Sequence, residues 1–173
     1  MGACHKKCYS SYCGRTFLFD SASVGEISDK TILINDDDEL NPTGKTPISE
    51  IKGWFQKNSF IEGLKISYGG KTKDTHISDE SDNPNRGKAS ILLQYGEYIT
   101  HITGKKLRNQ IYELMFHTNQ DRHCQIGTGN EGIPFELKHS KKCVSRIKFG
   151  YIQDEGICYF SVRFLDPRKL NAF

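Results

Sequence analysis

Apolar and polar residues alternate with a period of two along much of the chain, and this pattern predicts β-strands. The alternation is regular at residues 64–68, where the apolar members are Leu64, Ile66 and Tyr68. It returns at residues 158–164, where the apolar members are Cys158, Phe160, Val162 and Phe164. Each run is therefore expected to bury one face and to turn the other toward solvent.

Residues 96–137 hold three further strand-like runs, joined by a Thr-Asn turn and a glycine-rich return. The middle run is ambiguous, because Ile111, Leu114 and Met115 would also fit one turn of a helix. The runs on either side have the strand period, which favours a strand here as well. No segment has the pattern of a helix of ordinary length. About ten short strands separated by turns indicate a sandwich, a barrel or a prism.

The segments between the runs indicate one domain, residues 14–166, flanked by a Cys-rich tail at 1–13 and a second tail at 167–173. Within the domain we expect a first strand at 14–20, a polar insertion at 21–46 with one strand at 31–35, and a long polar loop at 70–88. The acidic run at 36–39 lacks the glycine and the terminal glutamate of an EF-hand loop. A solvated loop is therefore favoured over a calcium site.

Length and charge narrow the class of protein. A chain of 173 residues buries a full core without crosslinks. The net charge of +3, from 24 basic and 21 acidic side chains, is too weak to indicate nucleic acid as a partner. No apolar run approaches the roughly 20 residues that span a bilayer, and no signal peptide is evident. We expect no transmembrane segment, and a cytoplasmic, unconventionally secreted or mature secreted protein.

Familiar catalytic motifs are absent from the sequence. It has no G-x-S-x-G nucleophile elbow and no glycine motif for phosphate, and its six histidines show no HExxH spacing. His101 and His117 fall at alternating positions and are interpreted as surface residues. The pattern predicts a protein that is not an enzyme and that uses neither a metal ion nor another cofactor.

The six cysteines form two groups: Cys4, Cys8 and Cys13 in the N-terminal tail, and Cys124, Cys143 and Cys158 in the second half. For the first group, exposed thiols are favoured, while an incomplete zinc set with His5 and an acylation site stay open. For the second group, one disulfide and buried free thiols are both open. Cys143 has the phase of Ile147 and Phe149, as a buried thiol would.

A basic stretch follows residue 137 and consists of Lys138, Lys141, Lys142, Arg146 and Lys148. Such a stretch would suit sulfated glycans or other anions through its charge. Basic residues at exposed strand positions also protect an edge against unwanted pairing. Both interpretations stay open.

Several motifs in the central region resemble those of the jacalin-related lectins. The run Gly-Glu-Tyr-Ile-Thr at 96–100 leads to Gly104, and a Phe-x-Thr-Asn turn follows at 116–119. A Gly-x-Pro-Phe run occupies 132–135, and similar segments lie at 47–69 and 159–165. The resemblance covers residues 47–165. It implies an all-β fold, a β-prism of three Greek-key sheets with about 10–12 short strands.

The resemblance also implies a site for mannose or galactose at one end of the prism. The family's site combines a glycine-rich opening loop with a Gly-x-x-x-Asp segment, and the matching residues here are Gly14, Gly150, Tyr151 and Asp154. An ionised carboxylate accepts two sugar hydroxyls, glycines let the backbone approach the ring, and an aromatic face stacks on it. The chain departs from the pattern at Cys13, and an alternative alignment of the last strand places Cys158 at the acidic position.

These features predict a non-catalytic carbohydrate-binding domain whose partners are glycans or glycoproteins. Weak binding at a shallow site would gain avidity from a homodimer. Two alternatives stay open: a protein–protein or targeting domain that kept the scaffold and lost the sugar site, and a binder of anionic polysaccharide through the basic stretch.

Overall fold

The structure of the chain, a computed structural model, describes residues 20–34, 36–72 and 84–171. Its strands are β1 (Asp20–Gly25), β2 (Ile32–Ile34), β3 (Ile48–Gln56), β4 (Ile61–Tyr68), β5 (Arg86–Leu92), β6 (Ile99–Leu107), β7 (Gln110–Thr118), β8 (His123–Ile126), β9 (Ile133–Lys138), β10 (Cys143–Ile152) and β11 (Gly156–Leu165). The helical segments are α1 (Asp36–Leu40) and a 3-10 helix (Pro167–Lys169). Neither has the length or the apolar character to span a lipid bilayer.

The strands form three sheets. The first sheet has the order β1-β11-β10-β2, the second β4-β3-β5 and the third β8-β7-β6-β9. The pairings between these strands are antiparallel. Three antiparallel sheets around a common core make a β-prism, which confirms the predicted fold class.

The inner faces of the three sheets meet in one hydrophobic core. Ile102, Phe116 and Phe160 are fully buried there. Phe116 of the third sheet meets Phe160 of the first edge-to-face, with ring centroids 6.4 Å apart. The second sheet is joined by a hydrogen bond as well, because the Ile147 N–H donates to the Tyr68 hydroxyl at 3.1 Å. Packing and polar contacts therefore hold the sheets in one arrangement.

The predicted alternation is confirmed in β4 and β11, whose apolar positions are buried. The ambiguous run is a strand, since β7 covers Gln110–Thr118. In β6 the alternation is interrupted, and Ile99 and Ile102 are both buried. A register shift between Ile99 and His101 causes this, because one extra residue in a strand reverses the faces that follow it.

The stretch expected as a polar insertion, residues 21–46, is built into the first sheet. β1 pairs with β11 and β2 pairs with β10, so this stretch supplies both edge strands of the sheet. The strand predicted at 31–35 corresponds to β2. The acidic run expected as a loop lies in α1.

Asn41 fastens the end of this stretch to β10. Its side chain is fully buried, and Nδ2 donates to the carbonyl groups of Thr46 at 2.9 Å and Ser145 at 3.1 Å. Its Oδ1 accepts the Thr46 N–H at 3.0 Å. The buried guanidinium of Arg146 donates through Nε to the Asn41 carbonyl at 2.9 Å. These hydrogen bonds are buried, so a group that lost its partner would stay unsatisfied and would destabilise the fold.

Asp38 of α1 lies beside two cations of β10. Its carboxylate accepts from Lys148 Nζ at 2.8 Å and from the Arg146 guanidinium at 3.4 Å. Partial burial raises the pKa of Asp38, but the hydrogen bond and charge of Lys148 and the charge of Arg146 outweigh it and leave the pKa below its ordinary value. Through Asp38, α1 contacts β10.

Several expectations concern residues outside the described ranges. They include the N-terminal tail with Cys4, Cys8 and Cys13, Gly14 with most of the predicted first strand, and residues 73–83 of the long loop. At the other terminus, the tail expected at 167–173 begins with the 3-10 helix. The Asn171 N–H donates to the Lys45 carbonyl at 2.8 Å, so this segment is attached to the prism up to that residue.

The cysteines of the second half are buried free thiols. Burial raises the pKa of Cys124, and it raises the pKa of Cys143 to about 12. Since the thiolate is the reactive form, the higher pKa values of Cys124 and Cys143 lower the reactivity of these two thiols in the folded protein. Of the two alternatives left open by the sequence, the structure has free thiols.

Replacing Asn41 by Ala tests how the N-terminal stretch is anchored. We expect the free energy of unfolding to fall by about 2–4 kcal/mol, because buried partners lose their hydrogen bonds. Denaturant titration with the fluorescence of Trp54, the single tryptophan, measures the change. Asp38→Ala is the control and should cost less than about 1 kcal/mol, since Asp38 is largely exposed. Equal losses for both variants would contradict this account.

Thiol titration tests the state of the cysteines. In a variant with Cys4, Cys8 and Cys13 replaced by Ser, we expect no reaction with a thiol reagent under native conditions. After denaturation, the three thiols of Cys124, Cys143 and Cys158 should react. Fewer than three reactive groups in the denatured, unreduced protein would instead indicate a disulfide.

Candidate functional site

One end of the prism is formed by hairpin turns from all three sheets, and we call it the hairpin end. The turns are residues 57–60 of the second sheet, 108–109 of the third and 153–155 of the first. They contact one another: Gln110 Nε2 donates to the Glu155 carbonyl at 2.7 Å. Gly156 lies so close to the Phe60 ring that a Cβ would come within 2.3 Å of it. The first sheet's turn is thus supported by the other two.

Asp154 lies at the tip of the turn between β10 and β11. Its side chain is exposed, and its backbone has a φ of 64°. Aspartate tolerates this left-handed conformation better than most residues do. The Glu155 N–H donates to the Ile152 carbonyl at 3.0 Å and closes the turn. The carboxylate is therefore presented to solvent by a fixed backbone.

Gly150 lies beneath the surface, within β10. A Cβ on it would come within 2.6 Å of Thr31 and 3.0 Å of Leu33, so the glycine lets the loop before β2 and β2 itself pack against the strand. Its carbonyl accepts a hydrogen bond from Cys158 Sγ at 3.5 Å. The backbone of Gly150 is buried and does not form part of an open surface.

Tyr151 and Cys158 also belong to the interior of the first sheet. Tyr151 is half-buried and packs against the hydrophobic core. Cys158, the alternative acidic position, is 2% exposed, and its Sγ lies 3.6 Å from the Thr31 hydroxyl. Of the described residues predicted for the sugar site, only Asp154 is largely exposed, and Tyr151 reaches the surface in part. Gly14 lies outside the described ranges.

The structure adds polar groups that the sequence did not indicate. The loop at 26–31 joins the hairpin end, because the Glu26 N–H donates to the Cys158 carbonyl at 3.2 Å. In this loop the Ser28 N–H donates to the Thr31 hydroxyl at 2.9 Å. The amide of Gln110 lies beside Glu155 from a different sheet. These groups are far apart in the chain, and no motif marks them.

The basic stretch is divided in the structure. Arg146 is buried and held by Asn41 and Asp38, and Lys148 is paired with Asp38. Lys138, Lys141 and Lys142 lie at the end of β9 and in the turn before β10. Lys138 Nζ is 3.7 Å from a carboxylate oxygen of Glu136. The five cations therefore do not form one open patch.

Three histidines form a row across the outer face of the third sheet: His101, His117 and His123. The rings of His101 and His117 are stacked, with centroids 4.1 Å apart, and the Thr103 hydroxyl lies 3.0 Å from His117 Nε2. Burial lowers the pKa of both stacked histidines. The pKa of His101 is lowered further by His117 and Lys138. The pKa of His117 is lowered further by His123 and Lys138. The charge of Glu136 opposes the shift of both pKa values. Among the described residues, no group of three or more possible ligands is arranged to hold a metal ion.

Comparison with known protein families identifies the scaffold. The family model described as the jacalin-like lectin domain matches residues 35–156. The match includes β3 to β10 and the turn that carries Asp154. None of the curated protein sequences compared with the chain matches it.

Solved structures of the same fold include several lectins. A prostate-specific WGA16 glycoprotein lectin is 18% identical, with a TM-score of 0.62 over 85% of this chain and 100% of its own. Frutalin from Artocarpus incisa is 19% identical, with a TM-score of 0.62 over 89% and 99%. A mannose-binding jacalin-related lectin from Ananas comosus is 17% identical, with a TM-score of 0.59 over 86% and 98%. At these identities the likeness establishes the fold.

The stacked histidines predict that the free energy of unfolding depends on pH. Because their pKa values are lower in the folded protein, the unfolded chain binds protons more readily, and stability should fall as the pH drops below about 6.5. Denaturant titrations at about pH 7 and about pH 5 measure the loss. In the double variant His101→Gln/His117→Gln the loss should be smaller. An equal loss in the variant would exclude this pair as its source.

Proposed function

The chain belongs to the family of jacalin-like lectin domains, and on that basis we propose that it binds neutral glycans of the mannose or galactose type without catalysing a reaction. The observation that carries the proposal is the exposed turn of Asp154, held by neighbouring turns at the hairpin end of a prism that matches the family model. Glycans or glycoproteins are the partners that such a surface would recognise.

Asp154 is the group proposed to contact the sugar directly. An ionised carboxylate accepts hydrogen bonds from two neighbouring hydroxyls, and charge-assisted bonds of this kind are about twice as strong as neutral ones. Because the turn is closed by its own backbone hydrogen bond and is supported by Gln110, little ordering is required when a sugar binds. The hydroxyls of the loop at 26–31 offer further polar contacts at the same end.

The other proposed site residues would assist Asp154. Gly14 would supply backbone N–H groups to the sugar. Gly150 lets β2 and the preceding loop pack against β10, and Tyr151 packs against the hydrophobic core. In this proposal both residues fix the strand that leads to Asp154. A site built from one turn is shallow, and we expect weak binding of a single sugar. Multivalent display, through a homodimer or a clustered glycan, would increase the apparent affinity.

A protein–protein or targeting domain is the second candidate function. It is favoured by Cys158, because the position that the alternative alignment assigns to the sugar ligand holds a buried cysteine in place of a carboxylate. Binding of anionic polysaccharide is the third, and it would depend on Lys138, Lys141 and Lys142, which lie at the end of β9 and in the next turn, since Arg146 is buried beside Asp38. Each candidate predicts a different response to sugar and to salt.

Glycan binding by wild type and Asp154→Asn tests the proposal. We expect the wild type to bind mannose- or galactose-type glycans on an array. In the variant, the affinity at the Asp154 turn, followed through the backbone NMR signals of residues 153–155, should fall at least roughly tenfold, because an amide accepts fewer hydrogen bonds than a carboxylate. Asparagine keeps the positive φ, so the turn should persist. Asp121→Asn is the matched control: Asp121 is exposed with a φ of 56° in the turn after β7, and its variant should bind like the wild type.

Salt separates the remaining alternatives. Binding of a neutral glycan should change little between low and moderate ionic strength, whereas binding through several lysines should weaken steeply. The absence of any neutral-glycan binding, together with capture of a stoichiometric protein partner, would overturn the proposal in favour of a targeting domain. Unchanged binding by Asp154→Asn would reject this site and leave the function standing.

A further inference from the structure

A second concave surface lies at the end of the prism opposite the hairpin end. It is a cleft of about 190 Å³ between Pro47, the loop before β6 and the C-terminal 3-10 helix. Tyr95 and Tyr98 line it from the loop, and Pro167 and Asn171 line it from the C-terminal segment. No part of the Gly-x-x-x-Asp segment contributes, so the cleft is independent of the site proposed above.

The lengths of the strands separate the two sites. β6 begins at Ile99, directly after the cleft, and runs for 9 residues to the turn at 108–109 of the hairpin end. At about 3.3 Å per residue, the strand places the two ends roughly 30 Å apart. β11 gives a similar distance, because it starts at Gly156 beside the Asp154 turn and leads to Pro167 in the cleft. One sugar ring therefore cannot occupy both sites.

The walls of the cleft are suited to the C–H face of a sugar ring. Tyr95 is 77% exposed and is the most exposed large apolar side chain among the described residues. Its ring shares the cleft with Tyr98 and two prolines, all flat and weakly polar. Gly96 has no atom within 4 Å of a Cβ position, which leaves the backbone accessible beside the ring. Asn171 adds an exposed amide that both donates and accepts hydrogen bonds.

The charge in the cleft selects against anions. Among the described residues that line it, Glu97 alone is charged, and its Oε2 is paired with the Arg122 guanidinium at 2.7 Å. The other oxygen, Oε1, is buried and accepts no hydrogen bond from the described residues.

The loop that forms the cleft is held rigidly before any ligand arrives. Glu97 Oε2 also accepts the Gln94 N–H at 2.8 Å. Asn119, in the turn after β7, accepts the Tyr98 N–H through Oδ1 at 2.9 Å and donates to the Gly96 carbonyl at 3.2 Å. A preorganised loop loses little conformational entropy on binding, which favours affinity for a small ligand.

We propose that this cleft is a second saccharide site, which takes one neutral pyranose ring against Tyr95 with its polar edge toward Asn171 and the accessible backbone of Gly96. The small volume fits a single ring, because pockets for drug-sized ligands measure about 300–1,000 Å³. The class of ligand in this inference rests on the proposed function, whereas the position of the site rests on the geometry of the cleft. Two sites at opposite ends allow one chain to join two glycan segments without dimerisation.

NMR titration of the full chain with methyl mannoside and methyl galactoside tests the inference. We expect two groups of shifted backbone signals, one at 95–98 and 171 and one at 153–155, with separate binding curves. Tyr95→Ala should weaken binding at the first group by roughly tenfold or more and leave the second unchanged, because the stacking face is lost. Tyr95→Phe should keep most of the affinity. Leu92→Ala, at an exposed residue outside the cleft lining, is the control and should bind as the wild type does.

The titration distinguishes failure of this inference from failure of the proposed function. Shifts at 95–98 that survive Asp154→Asn and disappear in Tyr95→Ala support the second site even if the hairpin end binds nothing. Shifts confined to 153–155 overturn the second site and leave the proposed function intact. A proline-rich peptide that binds the wild type but not Tyr95→Ala, with no sugar response, would overturn the saccharide and assign the cleft to peptides.

Discussion

The antiparallel pairing of β10 with β11 is the interaction on which the rest of the structure depends. These two strands are 10 residues long and occupy the centre of the first sheet, with β1 and β2 on their outer edges. Phe160 of β11 carries the pair into the common core, and Ile147 of β10 bonds to Tyr68 of the second sheet. The turn that joins them presents Asp154. A slip of one residue in their register would turn the core side chains of the slipped strand toward solvent.

The two ends of the prism have different chemistry because they are formed by the connections between strands, and these connections differ in length and composition. At the hairpin end, short turns present polar groups, including one carboxylate on a fixed backbone. At the opposite end, a longer loop and the C-terminal segment meet over Pro47 and form an apolar cleft. Both surfaces are small and held in place by hydrogen bonds, which suits recognition of rigid ligands with little reorganisation.

The strands that bury one face could be predicted from sequence, because alternation reports burial directly. β4 and β11 follow this rule, and β7 follows it from Leu114 to Thr118. The resemblance to the jacalin-related lectins supplied the prism that the pattern alone left among several folds. β1 was harder, since most of its residues are polar and its place depends on pairing with β11. β2 was predicted as a strand, but its pairing with β10 was not. The bulge in β6 also escaped prediction, because no local residue marks it.

The candidate sites depend more strongly on tertiary structure. The spacing of Gly150 and Asp154 gave no sign that the glycine is buried under Thr31 and Leu33 while the aspartate is exposed. Arg146 reads as a surface cation, yet Asn41, more than 100 residues away, holds it in the interior. A structure of the chain with a bound mannoside or galactoside is the most direct test of the central claim. The account predicts sugar hydroxyls within hydrogen-bond distance of the Asp154 carboxylate, and a sugar seated on the face of a sheet, away from both ends, would contradict it.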